Sequence, residues 1–262
     1  VLYAPTLQSL FRHWASTDDA SHGFLVAPIS LYLLYRKREA FQGMEARGDW
    51  KGFLLLTLGL LLYVFSRVAG ILTLSGISLL TCLAGAVLFL YGPTVFGASL
   101  FPLAFLIFML PVPTLPYAML TSPLQNIVAR FSAVCVSLLG VPVLVEGNVI
   151  HLPTGALEVV AACSGLRSLM TLLMLGVLLG YLRHGSYPSR GILLAAAVPI
   201  AVSVNVVRVT AIAVARYHFG LDLLAEPGHT AVGMAVFVLA LASIYAVSEG
   251  LARWERKWSG AR

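Results

Sequence analysis

Seven apolar runs divide the chain, at residues 22–35, 52–66, 69–91, 98–113, 159–182, 191–215 and 230–251. A helix that crosses the hydrocarbon core needs about 20 apolar residues, within a usual range of about 17–25. The first, second and fourth runs fall short by their apolar cores. Such runs cross by extending into their flanks or by thinning the bilayer locally. The pattern predicts about seven transmembrane helices. Three stretches between the runs carry a different signal. Residues 123–139, PLQNIVARFSAVCVSLL, read as a helix with Gln125, Asn126 and Arg130 on it. Ser122 is its expected N-cap and Pro123 its first helical position. Residues 141–158 alternate apolar and polar positions between Pro and Gly, which predicts a short hairpin. Residues 3–21 read as a short amphipathic segment.

Composition turns these runs into a class. The chain is 59% hydrophobic and 11% charged, against roughly 25% charged in soluble domains. The excess apolar surface must face lipid. We therefore expect an all-α polytopic membrane protein, folded as a single transmembrane domain over residues 1–262. The net charge of +6 marks cytoplasmic loops in such a protein, not nucleic-acid binding. Cys82, Cys135 and Cys163 form neither a disulfide framework nor a CxxC pair. Cys82 and Cys135 read as packing residues. Gly176 and Gly180 make a GxxxG pair, which reads as close helix packing. The chain shows no cleavable signal pattern at its start.

Charge sets the expected orientation. Residues 36–51, 183–190 and 252–262 hold eleven of the seventeen Lys and Arg residues, so these three segments are expected in the cytoplasm. Parity then puts residues 114–158 outside. The helix at 123–139 does not cross on this reading and is interfacial or re-entrant.

Intramembrane polar groups are costly, so each invites a functional reading. Cys163 stands one turn into the run that begins at 159. The helix N-terminus and Arg167 at i+4 both favour its thiolate; the plain alternative is a packing cysteine. Arg208 sits in an apolar run with Asn205 at i−3; alternatively it snorkels or pairs structurally. The Glu226-Pro227-Gly228 turn delivers His229 to the start of the last run; alternatively that histidine is interfacial or capping. The basic loops alone place Cys163, Arg208 and His229 at one leaflet. A nucleophile, a cation and a general base make an acyl-transfer constellation.

At these residues the sequence resembles the exosortase/archaeosortase family, in its bacterial form. EVVAACSGLRS at 158–168, NVVR at 205–208 and GH at 228–229 carry the likeness. HGFLVAPISLYLLYRKR at 22–38, RGDWKG at 47–52 and LPVPTLP at 110–116 extend it over nearly the whole chain. The resemblance implies a membrane-embedded cysteine transpeptidase or protease. Its substrates would be secreted proteins ending in a Pro-Glu-Pro-type motif, a transmembrane helix and a basic cluster. Cys163 would be the nucleophile, Arg208 the catalytic arginine and His229 the third member. Glu158 and Asn205 are candidates to orient His229 or Arg208, and Arg167 to assist the thiolate or position an acidic motif. The family implies the bacterial inner membrane, a site facing the periplasm, and a link with exopolysaccharide production. It also implies about eight spans, which puts a further helix ahead of Val1. The acceptor is a cell-surface amine or water.

Two rival readings stand beside this one. Ala162-Cys163-Ser164-Gly165 is close to a rhomboid-like motif, in which Ser164 is the nucleophile and His229 its base. Alternatively Arg208 and Asn205 line a transport path, although no inverted repeat is visible. No HExxH or soluble-cofactor motif occurs, so no metal and no cofactor are expected. The expected partners are protein substrates and membrane lipid, with no nucleic acid.

Overall fold

The first helices are marked by prolines, glycines and caps. In the computed structural model, residues 1–17, 20–159 and 165–259 are described, and they divide into two units, Val1–Thr114 and Leu115–Arg262. The first unit holds α1 (Ala4–Ser16), α2 (Gly23–Arg36), the short α3 (Arg38–Gln42), α4 (Trp50–Ala69) and α5 (Leu72–Phe105), followed by a 3₁₀ turn at Leu106–Met109. Asp49 caps α4 by accepting the Lys51 amide at 2.9 Å, and Gly70 ends it in the left-handed conformation at φ 68°. Residues 3–21 hold α1, as the amphipathic pattern predicts.

α5 covers two of the seven apolar runs because it breaks at Gly92, whose φ of 81° and ψ of −177° are not helical. The loop before α4 lies on that break. The Asp49 amide donates to the Leu88 carbonyl at 3.2 Å. A Cβ on Gly92 would overlap the Arg47 carbonyl, and one on Gly52 would overlap the backbone of Phe89. The RGDWKG segment is thus a fitted wedge. Further along, Gly59 faces Cys82, and Gly85 faces the backbone of Leu56. Small residues let two lipid-embedded helices approach closely where hydrophobicity alone cannot drive association.

Beyond the break, Pro102 has no N–H for the Ala98 carbonyl one turn back. Lys37 Nζ donates to that carbonyl at 2.6 Å. Ser30 Oγ donates to the Pro102 carbonyl at 2.7 Å. α1 is held by Trp14 Nε1, which donates to the Met109 carbonyl at 2.9 Å, and by Tyr3, whose hydroxyl lies 2.9 Å from Ser78 Oγ and 3.2 Å from Cys82 Sγ. Burial and then the bond to Cys82 push the Tyr3 phenol up to about 12, so it stays a donor at ordinary pH.

The second unit holds α6 (Thr114–Leu138), β1 (Leu144–Glu146), β2 (Val149–Leu152), β3 (Gly155–Glu158), α7 (Gly165–Arg183), α8 (Tyr187–Phe219) and α9 (Gly228–Ser259). α6 corrects the expected cap. It begins at Thr114, and Pro123 lies inside it. Thr121 Oγ1 bonds the carbonyls of Tyr117 and Ala118 in the turn before the proline, at 2.9 and 3.3 Å. Hydroxyl bonding of this kind helps membrane helices absorb a proline.

The expected hairpin is corrected to a three-stranded antiparallel sheet in the order β1-β2-β3. Leu144 pairs with His151, and Ile150 with Leu157. Two turn signals, not one, lie in the segment: Gly147-Asn148, with Gly147 at φ 61°, and Pro153-Thr154 before Gly155 at φ 125°. One sheet face buries Ile150, Leu152 and Leu157 against Val128, Ala129 and Val136 of α6 and Val209, Ile212 and Ala213 of α8. A second core joins three helices through Leu169 and Leu172 of α7, Leu193, Ala197, Ala201 and Val204 of α8, and Val236, Ala240 and Ile244 of α9. Gly176 and Gly180 of α7 face Leu193 and Arg190, as the GxxxG pair predicts.

A buried polar clasp closes one end of the second unit. His184 follows α7 and has a fully buried side chain. Its Nδ1 lies 3.1 Å from Glu255 Oε2, and its Nε2 lies 3.1 Å from Ser248 Oγ. Ser186, the N-cap of α8, donates to the same Glu255 carboxylate. Arg183 reaches Glu249 at 2.6 Å.

Among the described residues, four helices are long and apolar enough to cross a membrane: α4, the stretch Leu72–Met109, α8, and Gly228–Lys257 of α9. Two shorter apolar helices, α2 and residues Leu169–Arg183, accompany them. The molecule is an all-α membrane protein with one small sheet.

Two substitutions test these contacts. Gly52→Leu should force α4 from α5 and lower the detergent-solubilised unfolding temperature, at a cost of about 3 kcal/mol or more. An unchanged transition would show that the close approach carries no stability. His184→Ala leaves Ser248 and Glu255 without their buried partner and should cost about 1–3 kcal/mol in the same measurement.

Candidate functional site

The middle third of α8 carries two of the polar residues singled out from the sequence, Asn205 and Arg208. Val204, Val209, Ile212 and Ala213 are buried and turn one face of the helix into the bundle. Asn205 and Arg208 share that burial, each only 3% exposed. They stand three residues apart, which brings them to one face. Asn205 Oδ1 has no hydrogen-bond partner among the described residues. A charged guanidinium in an apolar helix is costly, by roughly 2.5–3.5 kcal/mol on insertion scales. Such a residue is retained where its charge is used or firmly met.

α9 supplies the wall opposite Arg208. A Cβ on Gly233 would stand 3.8 Å from Arg208 Nη2. That is ordinary van der Waals distance, so the guanidinium lies close against the helix at this point. His229 lies one turn earlier on α9, about 6 Å along its axis. The loop before it is pinned by Leu223 and Leu224, which pack on the sheet core. The His229 amide donates to the Ala225 carbonyl at 3.0 Å. Its imidazole is half-buried, and its Nδ1 lies 3.5 Å from Glu226 Oε1. Thr230 Oγ1 donates to that same carboxylate oxygen at 2.9 Å. The structure therefore brings Arg208 against the second turn of α9, one turn along from His229.

Cys163 and Ser164 lie outside the described residues. Arg167 is in the first turn of α7, with its side chain likewise outside what is described. The residues on either side of 160–164 are placed. Val159 is buried in the core that holds Val209 and partly buried Val232. Leu169 is buried in the core that holds Val204 and Val236. Each core thus takes one residue within a helical turn of Arg208 and one within a turn of Gly233. The Val159 amide also donates to the Asn148 carbonyl at 2.9 Å, which fixes the end of the sheet.

Glu158 ends β3, opposite Val149, and is exposed. The carboxylate beside His229 is Glu226, a residue to which the sequence reading gave no role. Its signal was its spacing of three residues at a helix start. Arg216 was also passed over. Its Nη1 donates to the Ala156 carbonyl at 3.2 Å, tying α8 to β3. A Cβ on Gly155 would stand 3.1 Å from its Nη2, so glycine there admits the guanidinium. Cys82 and Cys135 are free thiols. Among the described residues no group of His, Cys, Asp and Glu is arranged to hold a metal ion.

Fold and site together define a polytopic α-helical membrane protein with a buried arginine against Gly233 in the second turn of its last helix. The sequence model of the transmembrane exosortase family (Exosortase_EpsH) matches residues 14–246, and the chain belongs to that family. Membership supports a membrane transpeptidase-type role in general. No curated protein and no solved structure gives a significant match.

The Arg208–Gly233 contact is testable. Gly233→Leu should drive a branched side chain into the guanidinium and reduce activity by about tenfold or more, with an unfolding temperature close to that of the parent. Full activity in this variant would remove Arg208 from the site.

Proposed function

We propose that the chain is a cysteine transpeptidase or protease of the bacterial inner membrane. It acts at the periplasmic face on secreted proteins with a C-terminal sorting signal. The observation that carries this reading is the burial of Arg208 against Gly233, one turn from His229. The packing of Val159 and Leu169 on either side of residues 160–164 supports it.

In this reading the substrate's tail helix docks in the membrane, with its Pro-Glu-Pro-type motif at the outer interface. The Cys163 thiolate attacks the scissile carbonyl, and a C–S bond forms. Arg208 stabilises the oxyanion. Loss of one such donor typically costs on the order of 10²–10³ in rate. The intermediate collapses, the C–N bond breaks, and His229 gives its proton to the leaving amine. A thioester remains. A surface amine or water then attacks it, its proton passes to His229, and the Cys163 thiolate leaves. Asn205 supports Arg208 on the same helix face. Arg167 favours the thiolate or holds an acidic motif. Glu226 positions His229: a carboxylate near Nδ1 favours a proton there and leaves Nε2 to act as base.

Co-expression with a reporter carrying such a tail tests the reading, with reporter size read on a gel. The intact enzyme should shorten the reporter, and Cys163→Ala, Arg208→Ala and His229→Ala should each abolish processing. Equal processing by Cys163→Ala removes the thioester; loss in Ser164→Ala alone would then name Ser164 as nucleophile. If the intact enzyme transports solutes and never processes any tail, the transport reading replaces this one. Glu226→Gln should lower kcat by about tenfold with KM and unfolding temperature unchanged, and Glu226→Asp should recover part of the loss. A change in KM alone would remove the positioning role.

A further inference from the structure

α6 presents a second cation with a different setting. Residues 127, 130, 131, 134 and 138 recur at helical spacing and share one side of the helix. Four of them are apolar and outward-facing, with Ile127 41% and Leu138 81% exposed and Phe131 and Val134 between these values. The fifth is Arg130, also exposed. The ion pairs among the described residues do not include it. The other side of α6 is spoken for, because Val128, Ala129 and Val136 fill the sheet core.

Arg130 opens onto a hollow of about 450 Å³ between α6 and the strand that follows it. Ala133, Val134, Leu138, Val143 and Val145 make its walls apolar, and Ser137 adds a hydroxyl two turns from Arg130. A solvated arginine needs no apolar hollow, and a purely lipid-facing surface does not need an arginine. The combination suits a ligand that is anionic at one end and apolar at the other. A guanidinium matches a phosphodiester through paired N–H donors. Walls of valine and leucine suit the first carbons of acyl chains.

We propose that this hollow binds the headgroup of an anionic phospholipid, with its phosphate on Arg130 and its upper acyl carbons along Val134, Leu138 and Val143. The site does not depend on the catalytic reading. Its volume takes a headgroup and the chain roots, not a whole lipid. The bound lipid would hold α6 at the membrane surface, beside the sheet that shares its core.

The test uses the full chain in nanodiscs of equal parts phosphatidylglycerol and phosphatidylcholine, released into the gas phase for native mass spectrometry. The parent should retain phosphatidylglycerol in preference to phosphatidylcholine. Arg130→Ala should reduce that preference about fivefold, which is roughly the 1 kcal/mol expected of one basic residue near an anionic surface. Val134→Trp keeps the charge, fills the hollow and should reduce retention as well. Arg253→Ala, a change at the far end of α9, should leave it unaltered. Helical circular dichroism verifies that each variant is folded. Equal retention of the two lipids by the parent overturns the proposal, as does full retention by Arg130→Ala. Displacement of the lipid by millimolar inorganic phosphate, or by a soluble acidic peptide, would show that the apolar walls take no part and would also overturn it.

Discussion

A guanidinium inside an apolar bundle constrains everything packed around it. Arg208 is buried in a helix whose neighbouring residues are valines, in surroundings where charge is expensive. The helix that carries it is held on both sides by hydrophobic cores. Gly233 of α9 lies close against the guanidinium. One hydrophobic core packs on each side of Arg208 along α8, through Val204 and Val209. These cores take residues from α6, the sheet, α7 and α9. The arginine's position therefore depends on almost every element of the second unit. Interactions at such a desolvated point are stronger than the same ones in water, which is what stabilising a transient oxyanion requires.

The opposite end of the same three helices is held by a different device. His184, Glu255, Ser248 and Ser186 bond to one another across the ends of α7, α8 and α9, and Arg183 pairs with Glu249 beside them. The clasp joins the end of α7 and the start of α8 to the last turns of α9. Helix rotation about the bundle axis would break several of these bonds together. Rigid anchoring at that end limits how far Arg208 and His229 can drift from each other at the other. The proposed mechanism puts a tight angular demand on these two residues, and a distant clasp would serve it without touching them.

How much of this was legible depended on the range of the signal. The apolar runs foretold the long helices, and the separation of 69–91 from 98–113 foretold the break at Gly92. Arg208 and His229 stood out because charge in an apolar run is locally visible. The second turn of the sheet was missed because Gly147-Asn148 and Pro153-Thr154 lie close together and were read as one. The start of α6 was missed because a proline after a serine looks like a helix beginning, whereas membrane helices absorb internal prolines. The clasp was out of reach: His184 bonds residues 64 and 71 positions away, and no local pattern encodes that pairing. Glu226 lay in plain view, but its value appears only once the turn places its carboxylate beside His229.

On the proposed reading, the small sheet sets the depth of the site. An open three-stranded sheet has two edges, β1 and β3, whose outward backbone groups need hydrogen-bond partners. Hydrocarbon offers none, so such a sheet belongs in water or the headgroup layer. Arg216 ties it to the last turns of α8 through the Ala156 carbonyl, and this fixes which end of α8 stands at the boundary. With 33 residues, α8 is about 50 Å long, well beyond the roughly 30 Å of the hydrocarbon core. On the proposed orientation, Arg208 would lie below the headgroups but not at the bilayer centre. His229 starts a helix whose preceding loop packs on the same sheet core. The proposed reaction needs both conditions at once: dry surroundings for the charge, and water within reach for the second step. On that reading, the sheet is the element that would hold the site at the boundary.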